Sequence, residues 1–222
     1  MSLILNIETA STNCSVALAK EGVLLAIREE NTPNYSHSEQ LHVFIEAVLA
    51  EAKYDLEDLD AIAVSKGPGS YTGLRIGVSA AKGLCFSLGL PLISIPTLES
   101  MAHQVTGHDF IIPLLDARRM EVYAAVFDKH RHRVRETRAE IVDGHSFKEF
   151  VQKGKVVLLG SGAEKCKALL MEPNIVFYPE SVPSAREMAS LSYQKFLNKQ
   201  FEDVAYFEPF YLKDFLITKK QV

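Results

Sequence analysis

The 222-residue chain carries 24 Lys and Arg against 28 Asp and Glu, with 47% hydrophobic residues and a net charge of −4, so it can bury a core but lacks the cationic excess for unaided nucleic-acid binding. Cys14, Cys85 and Cys166 are widely spaced with no C-x-x-C, which argues against a disulfide framework or cysteine zinc site and fits a reducing compartment. With no basic stretch at the start and no apolar run near the roughly 18 residues of a membrane span, the chain reads as soluble and cytoplasmic, with no membrane partner.

Residues 3–7, 14–19 and 23–27 carry strand signals, with Lys20-Glu21-Gly22 as the tight turn of a three-strand meander. The turn after the first strand holds Glu8, Thr9, Ser11, Thr12 and Asn13, an acid among small polar residues. These are ordinary turn formers; in the actin-like class a turn of this kind presents its acid and small polar groups to nucleotide phosphates, and both readings stay open. Ser36 and Glu39 are spaced as a capping box before Leu41, Phe44, Ile45, Val48, Leu49 and Ala52 at helical intervals.

Residues 61–64 then predict a buried strand that runs through Gly67-Pro68-Gly69 into a helix ending at Gly89, before Pro91. Ser70 or Thr72 can cap that helix, and the free N–H groups of its first turn suit either an anion or a close-packed backbone. The spacing matches none of the standard catalytic motifs. In the dinucleotide fingerprint the third glycine comes one residue late, at Gly73; no Walker Gly-Lys-Ser/Thr follows; and Gly69-Ser70-Tyr71-Thr72-Gly73 puts tyrosine where a hydrolase elbow needs serine. A structural turn and a phosphate-facing turn both stay open. Along the helix, Gly73, Gly77, Ala80, Ala81 and Ser87 lie roughly on one side. An interior glycine costs about 0.5–1 kcal/mol relative to alanine, so a close approach is expected, by the chain's own sheet or by a partner.

After residues 92–95 (strand) and a short helix capped by Thr97, the order repeats. Residues 110–115, 121–127 and 134–142 are strand-like, Ser146 and Glu149 suggest another capping box, and 156–159 is a strand running into Gly160-Ser161-Gly162. Residues 163–171 read as helix, 175–177 as a short strand, and Ser184 with Glu187 as the cap of a helix through Phe196. Two tandem β-β-β-α-β-α units point to a duplicated α/β fold of the actin-like, sugar-kinase and Hsp70 class (ASKHA, ribonuclease H-like), divided near Gly107 into subdomains 1–107 and 108–222.

Metal chemistry finds little support. His37 with His42, and His103 with His108, are five residues apart, roughly 140° around a helix, so neither pair converges on an ion as H-x-x-x-H does. Asp116, beside Arg118 and Arg119, reads as the acceptor that fixes a hairpin. The basic run 129–135, with Arg138 beyond it, is the one cationic cluster; Arg131, Arg133 and Arg135 would share a strand face, as a solvated hairpin or as a contact to RNA phosphates.

The stretch Lys66-Gly67-Pro68-Gly69-Ser70-Tyr71-Thr72-Gly73-Leu74-Arg75-Ile76-Gly77, with residues 6–11 and 115–123, closely resembles the TsaB (YeaZ) family. The resemblance runs over essentially the whole chain and is strongest in the first 125 residues. It implies the ASKHA fold and a non-catalytic subunit of the bacterial complex that transfers a threonylcarbamoyl group from its AMP adduct to adenosine beside the tRNA anticodon. The implied partners are a TsaD-like catalytic subunit, a TsaE-like ATPase and a second copy of the chain when alone, with tRNA reached only through the complex. The helices over 38–52 and 73–88 would form the partner interface, through Leu41, Phe44, Ile45, Val48, Gly73, Leu74, Gly77, Ala80 and Ala81. Glu8, Thr9, Ser11, Gly67, Gly69, Ser70 and Thr72 are the residues that would face phosphate, if any do. No catalytic residue, metal or tightly bound cofactor is implied; ATP or ADP at the complex interface stays open. The alternative is a stand-alone ATP-binding phosphotransferase or a glycoprotease-type metallopeptidase of the same fold. The missing H-x-x-x-H weighs against the peptidase, and the missing glycine-rich adenosine motif in the second half weighs against the kinase.

Overall fold

The alternation of apolar strands with amphipathic helices resolves into two five-stranded sheets in the computed structural model, which describes residues 2–33 and 36–213. The first half supplies β1 (Leu3–Glu8), β2 (Asn13–Lys20), β3 (Val23–Asn31), α1 (His37–Ala52), β4 (Ala61–Gly67), α2 (Tyr71–Leu88), β5 (Leu92–Pro96) and α3 (Thr97–Ala102). The second supplies β6 (Phe110–Asp116), β7 (Glu121–Asp128), β8 (Arg133–Ile141), α4 (Lys148–Val151), β9 (Val156–Leu159), α5 (Ala163–Lys167), β10 (Ile175–Tyr178) and α6 (Ala185–Leu197). Strand order is β3-β2-β1-β4-β5 in one sheet and β8-β7-β6-β9-β10 in the other, the same order for corresponding strands. The directions match as well: β1 runs antiparallel to β2 and parallel to β4, and β6 does the same with β7 and β9. The duplication legible in the sequence is therefore a duplication of topology, that of the ASKHA-like α/β fold.

Each sheet is covered on both faces, which is why β1, β4 and β9 are almost continuously apolar rather than alternating. On the first sheet, Leu41, Ile45 and Val48 of α1 and Val78, Ala81 and Cys85 of α2 pack on Leu5, Ile7, Ile62 and Val64. The opposite face, with Ile4, Ala61, Ala63, Ile93 and Ile95, takes Ala185 and Met188 of α6. On the second sheet, α4 and α5 cover the face of Ile112, Leu114 and Leu158, whereas Leu98, Met101 and Ala102 of α3 cover that of Ile111, Phe127 and Val157. Each half thus lends its third helix to the other half's sheet. Short-range spacing carries no trace of this exchange.

The helix ends divide into those settled locally and those captured by distant groups. For α2, Ser70 Oγ accepts the Gly73 N–H (3.3 Å), and Gly89 closes the helix at φ 67° with its N–H on the Cys85 carbonyl, as expected. For α6, Ser184 Oγ accepts the Arg186 N–H (3.1 Å). The other expected caps do not form, because their hydroxyls find other partners. Ser36 Oγ donates to Glu30 (3.1 Å), Ser146 Oγ is bonded to Asp143, and the Thr97 hydroxyl pairs with that of Ser65 (2.7 Å). The segment after α6, for which the sequence suggested no element, runs back along the first half. Glu202 bridges to Leu92, Lys82 Nζ donates to the carbonyls of Ala205 (3.2 Å) and Phe207 (3.0 Å), and the Phe210 N–H reaches the Lys66 carbonyl (2.7 Å).

Candidate functional site

Because β1 and β4 are parallel neighbours, the turns that follow them emerge at the same end of the first sheet and meet. Ser70 N–H donates to the Ala10 carbonyl (2.7 Å), and the Thr9 hydroxyl donates to the Gly73 carbonyl (2.8 Å). The glycines make this contact possible. A Cβ on Gly69 would overlap the Ala10 carbonyl, one on Gly73 the Thr9 carbonyl, and one on Gly77 the Thr9 hydroxyl. Gly67, at φ 103°, lies under the backbone of Phe210. So the seven residues read as candidates for facing phosphate are gathered in one place, but Thr9, Gly67, Gly69 and Ser70 serve turn-to-turn and turn-to-tail packing. Ser11 is half-buried, its hydroxyl accepting the Asn13 N–H (3.1 Å) and its carbonyl bonded to His37 Nε2 (2.8 Å). Thr72 alone of the seven is exposed. Between the two readings of the glycine turn, the close-packed backbone is the one its geometry fulfils.

Glu8 is the chemically unusual member. Its side chain is completely buried, Oε1 accepts the Ala10 N–H (2.6 Å), and Oε2 has no hydrogen-bond partner. Burial pushes its carboxyl up to about 7, against the Ala10 N–H and the nearby Ser65 hydroxyl, which favour the ionised form.

On the helical face most of the expected contact residues point inwards. Leu41, Ile45, Val48, Gly73, Leu74, Gly77 and Ala81 are buried within the molecule, on the sheet and the Thr9 turn, and of these Leu41 also lines the outer groove between α1 and α2. Phe44 and Ala80 are half-buried. The stripe that periodicity singled out is the one that builds the core, as it is for most amphipathic helices. What α1 and α2 offer outwards is a groove of about 640 Å³, lined among others by His42, Arg75, Ile76, Ala80, Gly83 and Leu84. Val43 (55% exposed) and Phe86 (86%) stand on the exposed sides of the two helices. Gly83 is the outward glycine of α2, with no atom within 4 Å of where its Cβ would lie. The sequence holds a second signal here: Ile76, Ala80, Gly83 and Leu84 recur at i, i+4, i+7 and i+8, another apolar stripe on a helix that already has one.

The remaining candidates are structural. His37 is buried and bonded to the Ser11 carbonyl, and it lines the groove together with His42. Among the described residues no three His, Cys, Asp or Glu side chains converge as a metal site. Asp116 accepts from the Arg118 backbone N–H (2.6 Å) and pairs with Lys165 Nζ (2.5 Å), rather than with either arginine side chain. In the basic hairpin, Arg133 pairs with Glu136 (3.2 Å) and Arg138 with Glu140 (3.3 Å). Arg135 also pairs with Glu140 and lies 4.8 Å from the Phe147 ring centroid with its side chain only 13% exposed, and Arg131 sits at φ 65° in the turn before β8, so Arg131, Arg133 and Arg135 do not line one strand face. No helix among the described residues is long and apolar enough to cross a membrane.

Comparison with known proteins agrees with this geometry. Residues 32–213 match the TsaD family, described as tRNA N6-adenosine threonylcarbamoyltransferase. The tRNA threonylcarbamoyladenosine biosynthesis protein TsaB of Escherichia coli (strain K12) is 32% identical, over 98% of this chain and 97% of that protein. YeaZ from Pseudomonas aeruginosa superposes with a TM-score of 0.80 at 24% identity, over 96% of this chain and 100% of that one. An activator of 2-hydroxyisocaproyl-CoA dehydratase from Clostridium difficile, solved with bound ADPNP, shares the fold at a TM-score of 0.51 and 10% identity, over 90% of this chain and 96% of that one. With end-to-end identity to one TsaB and near-complete superposition on YeaZ, this chain belongs to the TsaB (YeaZ) family of tRNA threonylcarbamoyladenosine biosynthesis proteins.

Proposed function

We propose that this protein is a non-catalytic, activating subunit of a TsaB–TsaD–TsaE type complex in the cytoplasm, which transfers a threonylcarbamoyl group from threonylcarbamoyl-AMP to adenosine beside the tRNA anticodon. Its part is to hold the TsaD-like catalytic subunit through the outer groove of α1 and α2. The TsaE-like ATPase and tRNA engage the assembled complex, adenine nucleotide binds at the interface of the subunits rather than within this chain, and the isolated chain pairs with a second copy through the same groove.

The observation that carries this reading is the second apolar stripe of α2. Ile76, Ala80 and Leu84 are half-buried beside Gly83, whose bare backbone admits a close neighbour, and among the described residues no element fills the groove they line. Arg75 lines the groove and α1 carries the exposed Glu39 and Glu46, charges of both signs that orient a partner more than they bind it.

Gly83→Trp tests the surface. It fills the groove from an exposed position, so the lone chain should keep its melting temperature within about 1–2 °C. Affinity for the TsaD-like subunit should fall at least about ten-fold, and tRNA modification by the reconstituted complex should fall with it. Calorimetric titration and sedimentation of wild type and variant measure this, beside a turnover assay of the chain by itself. Unchanged binding would move the interface elsewhere, and robust turnover by the lone, pure chain would overturn the non-catalytic reading.

A further inference from the structure

On the face of the first sheet opposite the groove, α6 is seated by a dense polar junction. Asn13 Nδ2 donates to the Pro183 carbonyl (2.9 Å), Ser15 Oγ accepts the Ala185 N–H (3.0 Å), and Ser184 Oγ donates to Glu29 Oε2 (2.8 Å). Gln104, just beyond α3, donates to the Val182 carbonyl (2.7 Å). Two carboxyl groups lie beside this junction, Glu8 at the end of β1, where it pairs in register with Ser15, and Glu187 in the first turn of α6. Each has its Oε2 shut away from solvent without a hydrogen-bond partner.

Among the described residues, no counter-charge acts on Glu8. From α6 the group acting on it is Glu187, a like charge; the exposed Arg186 acts on Glu187, as does Glu29 from β3. From β4 the Ser65 hydroxyl acts on it, itself paired with the Thr97 hydroxyl of α3 at 2.7 Å. An ionised carboxylate in such a place keeps an unsatisfied oxygen and repels Glu187. A proton on Oε2 removes the charge that burial and Glu187 both oppose and leaves Oε1 free to hold the Ala10 N–H.

We propose that Glu8 is a proton-gated latch: as a neutral acid it lets α6 sit down on the first sheet, and loss of its proton loosens that seat. Because α6 is the helix that the second half lends to the first, the latch acts on the joint between the halves. The sign follows from linkage. The unfolded carboxyl titrates at its ordinary value and the buried one near 7, so the folded state holds the proton longer, and stability falls as pH rises from about 4.5 to about 7. This adds a control to the fold and does not depend on the partner reading above.

Thermal melts and hydrogen exchange at pH 5.5 and 8.5, on wild type and Glu8→Gln, test the latch. Glutamine keeps the shape and stays neutral. Between the two pH values the wild-type melting temperature should fall by roughly 5 °C relative to the variant. Protection of the α6 amides, corrected for intrinsic exchange, should drop more than that of α2 in wild type only. Parallel pH profiles for the two proteins would overturn the proposal. If Glu8→Gln does not fold, the ¹³C carboxyl titration of Glu8 in the wild-type protein decides. A midpoint above pH 6 that falls in Glu187→Gln supports the latch, and a midpoint in the ordinary carboxylate range overturns it.

Discussion

Gly77 and Gly83 lie in the same helix with the same cost to helix formation, and the structure gives them opposite meanings. Gly77 stands against the Thr9 hydroxyl, which is itself committed to the Gly73 carbonyl, so the space a methyl group needs is taken by an atom that cannot easily leave. Gly83 has open space. Gly77→Ala should therefore destabilise the protein by about 1–3 kcal/mol through overpacking. Gly83→Ala should stabilise it by about 0.5–1 kcal/mol through helix propensity. Urea melts of the two variants give the comparison, and equal shifts of the same sign would show that the packing of α2 on the Thr9 turn has been misjudged. Glycine spacing in the sequence announced that some backbone approaches closely; which glycine meets Thr9 and which meets solvent depends on the rotation of α2 about its axis.

At the scale of elements, α1 and α2 show the limit of periodicity. The apolar stripe of Leu41, Ile45 and Val48 is strong because it builds the core, and for that reason it is a poor guide to an interface. The outer stripe of α2 is weaker, since residues between a core and a partner are only half-buried until the partner arrives. The segment from Phe201 to Lys213 had no periodicity to read, because tertiary bonds hold it rather than regular structure. Lys82 is its main clasp, through the two carbonyls of Ala205 and Phe207. Lys82→Met keeps the apolar stem and removes both bonds. Global stability should fall by only about 1 kcal/mol, the usual net worth of such bonds, while proteolysis near Tyr206 accelerates several-fold. A cleavage rate equal to that of wild type would show that Val204 and Phe207, packed on the α1–α2 side of the core, hold the segment without the lysine.

For the whole molecule, the exchange of α3 and α6 decides how the halves depend on each other. A fragment of residues 1–107 would keep β1 to β5 but lose Ala185 and Met188, leaving Ile4, Ala63, Ile93 and Ile95 facing water. A sheet of this kind needs both faces covered. The fragment should therefore show no cooperative melt and bind hydrophobic dye, and mixing it with residues 108–222 should restore the transition. A cooperative melt of 1–107 alone would mean that the first subdomain closes its own core. The Glu8 latch belongs to this scale as much as to its residue, since α6 transmits a change at one buried carboxyl to the joint between the halves.

Much of this was legible beforehand for physical reasons. Burial on both faces writes itself into β1 and β4 as apolar runs, Ser70 and Gly89 mark the ends of α2, and a duplicated topology repeats its order of elements along the chain. Signals of this kind come from a residue and its near neighbours, so one chain suffices to read them. The tertiary structure alone decided that the Gly67–Gly73 turn packs on the Thr9 turn, that α3 and α6 cross to the opposite sheets, and that Glu8 is sealed beside Glu187 with no counter-charge among the described residues. Each of these pairs residues far apart in sequence, and no local propensity records which distant surface a side chain will meet.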